Sequence, residues 1–282
     1  MNAPPTRPNR RLVVGCGPLG MRVARRWLAS GDQVWGTTRG RAAELEAVGI
    51  IPIIADVGSH TLPQLPEVDT VFWAVGFQPT SGLSPHDLHV RGLERLLAAM
   101  SPPGRVVLSS STGVWGDGDG EIVSEATPAR PGRPSAAALL EAESLLRQHP
   151  AGPGVALRFA GLYGPERLPR LDDLRAGREI AADPESWLNL IHLDDAATVV
   201  CLAADAASVA PLYVVSDGTP LRRGNWYQQL AAITGSPVPR FVPPAARRRG
   251  GNKRVDPSLL FRDLSPPLCH PDALATIEHL FR

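Results

Sequence analysis

Three glycines mark the first chemistry this chain is equipped for. The strand-like run Leu12-Val13-Val14 leads into Gly15-Cys16-Gly17-Pro18-Leu19-Gly20, and an amphipathic stretch from Met21 to Ala29 follows. Strand, tight turn and helix around G-x-G-x-x-G is the arrangement that holds a dinucleotide. Gly15 permits the turn, Gly17 lets a pyrophosphate approach the backbone, and Gly20 lets the helix pack on the strand. Pro18 and Leu19 open that helix, whose free N–H groups and dipole favour phosphate. A glycine-rich turn without a ligand is the alternative; the flanking elements favour binding.

The ribose end of the same unit narrows the cofactor. An NAD-binding unit carries an acid about 20 residues past the glycines, for the ribose 2′-OH. Here the second strand ends Val34-Trp35-Gly36-Thr37-Thr38-Arg39, and no acid follows until Glu44. Arg39, with Thr37 and Thr38, suits a 2′-phosphate, so NADP is expected ahead of NAD. A solvated surface arginine is the alternative. Asp56 and Val57 are expected against the adenine ring, unless Asp56 is an ordinary turn residue. The small residues of Ala74-Val75-Gly76 leave room for the cofactor to pass.

These groups need a sheet to position them. Candidate strands cover 11–14, 33–37, 50–55, 70–75, 105–109, 155–159 and 212–216. Candidate helices cover 19–29, 41–48, 85–100, 135–148, 194–204, 224–234 and 271–281. The strands are nearly continuous in β-branched residues, as in a parallel sheet covered on both faces. The alternation predicts an α/β fold, a Rossmann doubly wound parallel sheet of about seven strands. A small C-terminal substrate lobe is expected over it. Residues 1–10 read as a disordered tail, 11–160 as the dinucleotide-binding domain, and 161–282 as mainly the lobe, with 191–218 returning to the first domain. Pro/Gly-rich stretches at 150–154 and 237–251 read as loops.

Bulk properties bound the rest. The 282 residues are 43% hydrophobic and carry a formal net charge of +1, which gives no electrostatic case for nucleic acid or an anionic membrane. Cys16, Cys201 and Cys269 are widely spaced, as in a reducing compartment. No signal peptide and no membrane-spanning run are visible. A soluble cytoplasmic protein is expected.

Several later segments resemble the extended short-chain dehydrogenase/reductase (SDR) superfamily of epimerases and dehydratases. Ser109-Ser110-Ser111-Thr112-Gly113-Val114-Trp115-Gly116 resembles its "SSSxxVYG", the 157–165 stretch resembles "LRxxxxYGP", and Asn189-Leu190-Ile191-His192-Leu193-Asp194-Asp195 resembles "NxIHVDD". His89-Val90-Arg91-Gly92-Leu93 stands where "NVxGT" is usual, with His89 replacing asparagine. Asn252-Lys253-Arg254-Val255 and the Gly15-Cys16-Gly17 turn are similar to the atypical, sugar-nucleotide-epimerase-like (YeeZ-like) subgroup. The resemblance runs from about residue 11 to the C-terminus. It implies cofactor contact at Ser109 and substrate contact at Thr112, Trp115, Arg158, Asn189 and His192. It also implies a small, nucleotide-sugar-like substrate, and a homodimer built on helices 85–100 and 135–148. Core packing of those helices is the alternative.

The resemblance fails at the catalytic pair. SDR enzymes use a hydroxyl residue, here Ser111, and a Tyr-x-x-x-Lys in which the lysine lowers the tyrosine pKa. The tyrosine position falls on Ser135 and the lysine position on Leu139. Lys253 is the chain's one lysine, and Tyr163, Tyr213 and Tyr227 are followed four residues on by Arg167, Asp217 and Ala231. Positioned acid–base catalysis contributes roughly 10²–10⁴-fold in rate. Tyr163 is the remaining proton-donor candidate, against a packing role. His192 is a proton shuttle or a loop anchor. No metal is expected, because the His192-x-Asp194-Asp195 group has no second His or Cys cluster. Asp117, Glu121 and Glu125 either reach substrate or form an acidic surface loop. The basic run Arg247-Arg248-Arg249 is a phosphate clamp or a solvated loop. Two functions follow: an NADP-dependent oxidoreductase or epimerase, or a catalytically silent dinucleotide-binding sensor or scaffold.

Overall fold

The computed structural model describes residues 7–59, 61–149, 154–243 and 251–281. The expected tail up to residue 6, the centre of the 150–154 loop and the run Arg247 to Arg249 lie outside the described residues. The strands are β1 (Arg10–Val14), β2 (Gln33–Thr38), β3 (Ile51–Ile54), β4 (Thr70–Trp73), β5 (Arg105–Ser111), β6 (Asp119–Val123), β7 (Gly154–Phe159) and β8 (Gly161–Tyr163). There follow β9 (Ile180–Ala181), β10 (Trp187–Leu188), β11 (Leu190–His192), β12 (Leu212–Val215), β13 (Leu221–Arg222), β14 (Phe241–Val242) and β15 (Asn252–Val255). The helices are α1 (Pro18–Ala29), α2 (Ala42–Glu46), α3 (Gly92–Ala98), α4 (Pro134–Gln148), α5 (Leu171–Arg175), α6 (Leu193–Asp205), α7 (Arg223–Thr234), α8 (Ser258–Leu264) and α9 (Ala273–Leu280).

The seven strands expected from their apolar runs form one sheet, in the order β12-β7-β5-β4-β1-β2-β3. From β5 through β4, β1 and β2 to β3 the strands pair in parallel; Leu12 on central β1, for example, faces Trp35 on β2 and Val71 on β4. All four residues of β4 are buried, as in a sheet covered on both faces. At the β3 edge Ile51 and Ile54 are exposed, and Pro52 between them withholds a donor from any further strand.

The helices depart from expectation in one place. The stretch 85–100 is not one α-helix: residues Asp87–Arg91 form a π-helical turn before α3. The wider turn seats Gly92 against the sheet, where a Cβ would meet the Val57 carbonyl oxygen at 3.0 Å. Arg95 then donates to Val57 O at 3.0 Å and Asp87 O at 3.4 Å. Leu93, Leu96 and Leu97 on α3 are buried in the core, while Leu139, Leu140 and Leu145 on α4 stay half-buried.

The chain divides into two compact units. The first holds residues up to Ser110, Pro134–Leu157 and Ala197–Tyr213; the second holds Ser111–Arg133, Arg158–Ala196 and Val214–Arg282. The first has a core of Leu12, Val71, Trp73, Leu93 and Leu108, and Ser110 Oγ donates to the buried Glu143 at 2.6 Å, tying β5 to α4. The second has a core of Tyr163, Trp226, Leu230 and Ile277. Glu125 belongs to that unit's frame: it accepts the Val214 N–H at 2.7 Å, and burial raises its pKa.

Arg11 is the electrostatic knot of the first unit. It pairs with Asp32 at 2.9 Å and with Asp205, and it donates to Thr70 Oγ1 at 2.7 Å. The side chains of Arg11 and Asp32 are only 5% and 6% exposed. Removing one member of a buried pair strands the other charge, at about 3–5 kcal/mol. Arg11→Met is expected to lower stability by about 3 kcal/mol or more in urea unfolding. A loss under about 1 kcal/mol would show that water reaches Asp32.

Candidate functional site

The glycine turn has the shape a dinucleotide needs. Gly15 has φ +98°, and a Cβ there would meet Ala74 O at 3.0 Å. At Gly20 a Cβ would stand 2.2 Å from Gly15 O, so only glycine lets α1 close onto the turn. Gly17 and Gly76 differ: a Cβ at either meets nothing within 4 Å. That is open space above the loop, at the N-terminus of α1, where a pyrophosphate fits the exposed N–H groups. Pro18 is exposed at the helix start and Leu19 is buried beneath it.

The loops around this turn are fixed by their own side chains. Thr37 Oγ1 accepts the Gly15 N–H at 3.0 Å. Thr38 Oγ1 accepts the N–H groups of Gly40 and Arg41, so Thr38 shapes the turn that follows β2. Arg39 is exposed. Arg41, two residues on, reaches back to the glycine turn: its guanidinium donates to Cys16 O at 2.7 Å and lies 3.4 Å from Glu44. Arg41 was missed in the sequence because nothing local reveals a contact across 25 positions. Burial pushes the Cys16 thiol up to about 11, against a smaller pull from Arg41. Asp56 Oδ1 accepts the Gly58 N–H at 2.9 Å, the ordinary turn role, and the neighbouring Val57 carbonyl is held by Arg95. Ala74, Val75 and Gly76 follow β4, and Ser109 is half-buried in β5.

The second unit holds the other candidates. Ser111 Oγ accepts the Gly113 N–H at 3.1 Å and caps a 3-10 turn through Trp115; Ser111 and Thr112 are half-buried. Lys253 Nζ donates to Gly116 O at 2.8 Å and locks the far end of that turn. The chain's one lysine is 3% exposed, and desolvation pulls its pKa down to about 8. Trp115 Nε1 donates to Thr127 O, and the Arg158 guanidinium lies 4.6 Å over its ring. Asn189 bonds the backbone of Lys253 and Val255. These side chains brace the Ser111 turn.

Tyr163 sits fully buried, edge-on to His192 at 5.2 Å and to Trp226 at 5.5 Å. Burial pushes its phenol well above the usual value, with the nearby Thr276 hydroxyl opposing and Asp217, Asp195 and Asp272 adding to the rise. A phenol so shifted is a poor acid near neutrality, and the surroundings are those of a packing residue. His192 accepts the Asp194 N–H at Nδ1, at 3.2 Å, and its ring lies against that of His270, tilted by 41° with centroids 3.7 Å apart. Ligand atoms of His192, Asp194 and His270 lie within 4.8 Å of one another. The fold thus supplies, in His270, the second histidine whose lack in the sequence was the ground for expecting no metal. The amide at the start of α6 already engages the Nδ1 lone pair, and the positive helix end opposes a cation. Asp195 instead accepts the N–H groups of Cys269 and His270, at 2.8 and 2.9 Å, and anchors the C-terminal segment.

The model of the NAD dependent epimerase/dehydratase family matches residues 12–216. Protein YeeZ of Escherichia coli K12 is 30% identical over 272 residues, covering 93% of this chain and 96% of its own. A Methylobacillus flagellatus structure described as an NAD-dependent epimerase/dehydratase superposes with a TM-score of 0.75 at 29% identity, over 96% of this chain and 97% of its own. MoeE5, solved with UDP-glucose and NAD, shares the fold at TM-score 0.80 and 23% identity, over 96% and 98% of the two chains. No helix among the described residues is long and apolar enough to cross a membrane.

Two outcomes follow from this geometry. Gly17→Ala should leave the melting temperature unchanged and weaken dinucleotide binding at least about tenfold, whereas Gly20→Ala should lower the melting temperature. Equal effects in the two variants would refute the distinction. Asp217 gives a pH dependence. Its Oδ1 accepts the Thr219 N–H, its Oδ2 is buried without a hydrogen-bond partner among the described residues, and desolvation raises the carboxyl from 3.8 to about 7. The folded protein then holds, between those pH values, a proton that the unfolded chain releases, so this group's contribution to stability falls as pH rises through the window. Asp217→Asn cannot ionise. Its stability relative to the native chain should rise from about pH 4 to 7 and level off above. A pH-independent difference in urea midpoint would contradict the assignment.

Proposed function

The chain belongs to the NAD dependent epimerase/dehydratase family, and from that premise we propose that it binds NADP in preference to NAD and acts as an oxidoreductase or epimerase on a small, polar, nucleotide-linked substrate. The observation that carries the cofactor reading is the ribose end of the glycine turn. Arg39 is exposed there, and Arg41 is held against Cys16 O, with no acid in the stretch between β2 and Glu44. Arginine forks suit a phosphate monoester. The open spaces at Gly17 and Gly76 fit the rest of the dinucleotide. When bound, the nicotinamide supplies hydride donation or acceptance. The nucleotide-linked substrate is inferred from MoeE5, which holds UDP-glucose.

Ser111 is the residue we assign to orient the reacting hydroxyl or carbonyl. Its Oγ is already turned onto the Gly113 N–H, and Lys253 stiffens the turn from its other end. The proton does not travel through a Tyr-x-x-x-Lys pair, because the chain has none. Tyr163 was the sequence's candidate for the donor, and its buried, raised phenol supports a packing role instead. That observation favours the second reading, a catalytically silent NADP sensor or scaffold. We place the protein in the cytoplasm, where its three free thiols would stay reduced. A homodimer through the half-buried leucines of α4 is consistent with that helix's exposure.

NADPH is expected to bind at least about tenfold more tightly than NADH in a fluorescence titration, and Arg41→Ala to remove most of that preference. Arg39→Ala should have a smaller effect. Equal affinity for the two cofactors in the native chain would overturn the NADP reading. A preference that survives Arg41→Ala and disappears in Arg39→Ala would transfer the role to Arg39.

A further inference from the structure

Two histidines and an aspartate of the second unit converge at the start of α6. His192 closes β11, Asp194 lies in the first turn of α6, and His270 belongs to the segment between α8 and α9. One ligand atom from each lies within 4.8 Å of the other two, and among the described residues no other group of three His, Cys, Asp or Glu side chains converges this way.

The three carriers are held in place by the fold itself. His192 is 1% exposed and meets the rings of Tyr163 and His270. Its Nδ1 accepts the Asp194 N–H at 3.2 Å, so the lone pair is on Nδ1, and that nitrogen lies 3.6 Å from Asp194 Oδ2. The backbone at His270 is pinned on both sides. Asp195 accepts the N–H groups of Cys269 and His270, and Thr219 Oγ1 donates to Pro271 O at 3.2 Å.

Zinc bonds nitrogen and oxygen at about 2.0–2.2 Å, so neighbouring ligand atoms around it stand about 3.4 Å apart. His192 and Asp194 already have that spacing. The His270 ring is half-buried and the Asp194 side chain is 40% exposed, so both can turn to close the remaining gap. Two effects oppose a cation, and both are outweighed. The Asp194 N–H must release Nδ1, but at 3.2 Å that bond is at the long limit for an N–H donor. The helix end carries roughly half a positive charge, against the two carboxylates of Asp194 and Asp195 in its first turn. Imidazole ligands select zinc and its first-row neighbours over magnesium and calcium.

We propose that His192, Asp194 and His270 bind zinc, or a first-row divalent ion of the same ligand preference, and that the metal clips the segment before α9 to the start of α6. The unfolded chain has no such site, so the binding free energy goes into holding that segment.

The test uses the full-length protein without a polyhistidine tag, stripped by a chelator, with zinc titrated by calorimetry. One zinc per chain is expected at micromolar affinity or tighter, with a rise in melting temperature. His270→Ala and Asp194→Asn should each weaken binding at least about tenfold while the metal-free melting temperature stays near native. Cys269→Ser, beside the site, should leave the affinity unchanged. His270→Cys exchanges one zinc ligand for another, and its cobalt complex should gain a thiolate charge-transfer absorption that the native complex lacks. The clip is overturned if zinc, cobalt and nickel all fail to bind the native chain. It is equally overturned if zinc binds as tightly to His270→Ala as to the native protein, or if the cobalt complex of His270→Cys shows no thiolate absorption.

Discussion

A methyl group at position 20 would collide with the Gly15 carbonyl oxygen at 2.2 Å, and much of the cofactor half depends on its absence. That contact sets how closely α1 approaches β1, and so where the helix N-terminus points. The turn above it is held by the Thr37 hydroxyl on Gly15 and by Arg41 on Cys16. Each of these ties β2 or its following loop to the first turn. The two ends of the turn that we assign to the phosphate and the ribose of a dinucleotide are thereby held by a single cluster of contacts. Such preorganisation places donors before the ligand arrives, so little ordering is left for binding to do.

The second unit uses a different device. Its Ser111 turn is short and rich in glycine, and little in its own sequence would hold it. Its rigidity comes from distant segments: Lys253 at Gly116, Asn189 across to β15, and the Arg158 guanidinium on Trp115. The lysine that SDR enzymes keep near their tyrosine is missing, and the one lysine present is engaged with a backbone carbonyl. Desolvation lowers its pKa to about 8, so it stays mostly protonated at neutrality and loses its charge at a lower pH than a solvated lysine does. A carbonyl acceptor and neighbouring acids, Asp117 and Glu121, offset part of that burial.

The seven strands of the sheet were legible to within two residues, because strands buried on both faces read as unbroken apolar runs. The glycine turn was legible for a related reason: its residue types have few other uses in that order. Helix 85–100 was legible as helical but not as a π-turn, since a five-residue turn changes register without changing composition. The grouping of 111–133 with the second unit was invisible, because it rests on partners more than 80 residues away, as in Glu125 with Val214 and Gly116 with Lys253. Arg39 was read at the strand end because the expected acid sits there, whereas Arg41 makes the contact that only a folded loop creates. For Tyr163, spacing named the right functional group, and only burial reveals how poor an acid it has become.

The inward turn of Lys253 has a consequence outside chemistry at the site. A protease that cleaves after lysine alone has one possible cut in this chain, and the folded protein hides it within β15. Cleavage there requires β15 to leave β6 and the Ser111 turn. The scarcity of one amino acid thus gives the second unit a built-in marker for the exposure of β15.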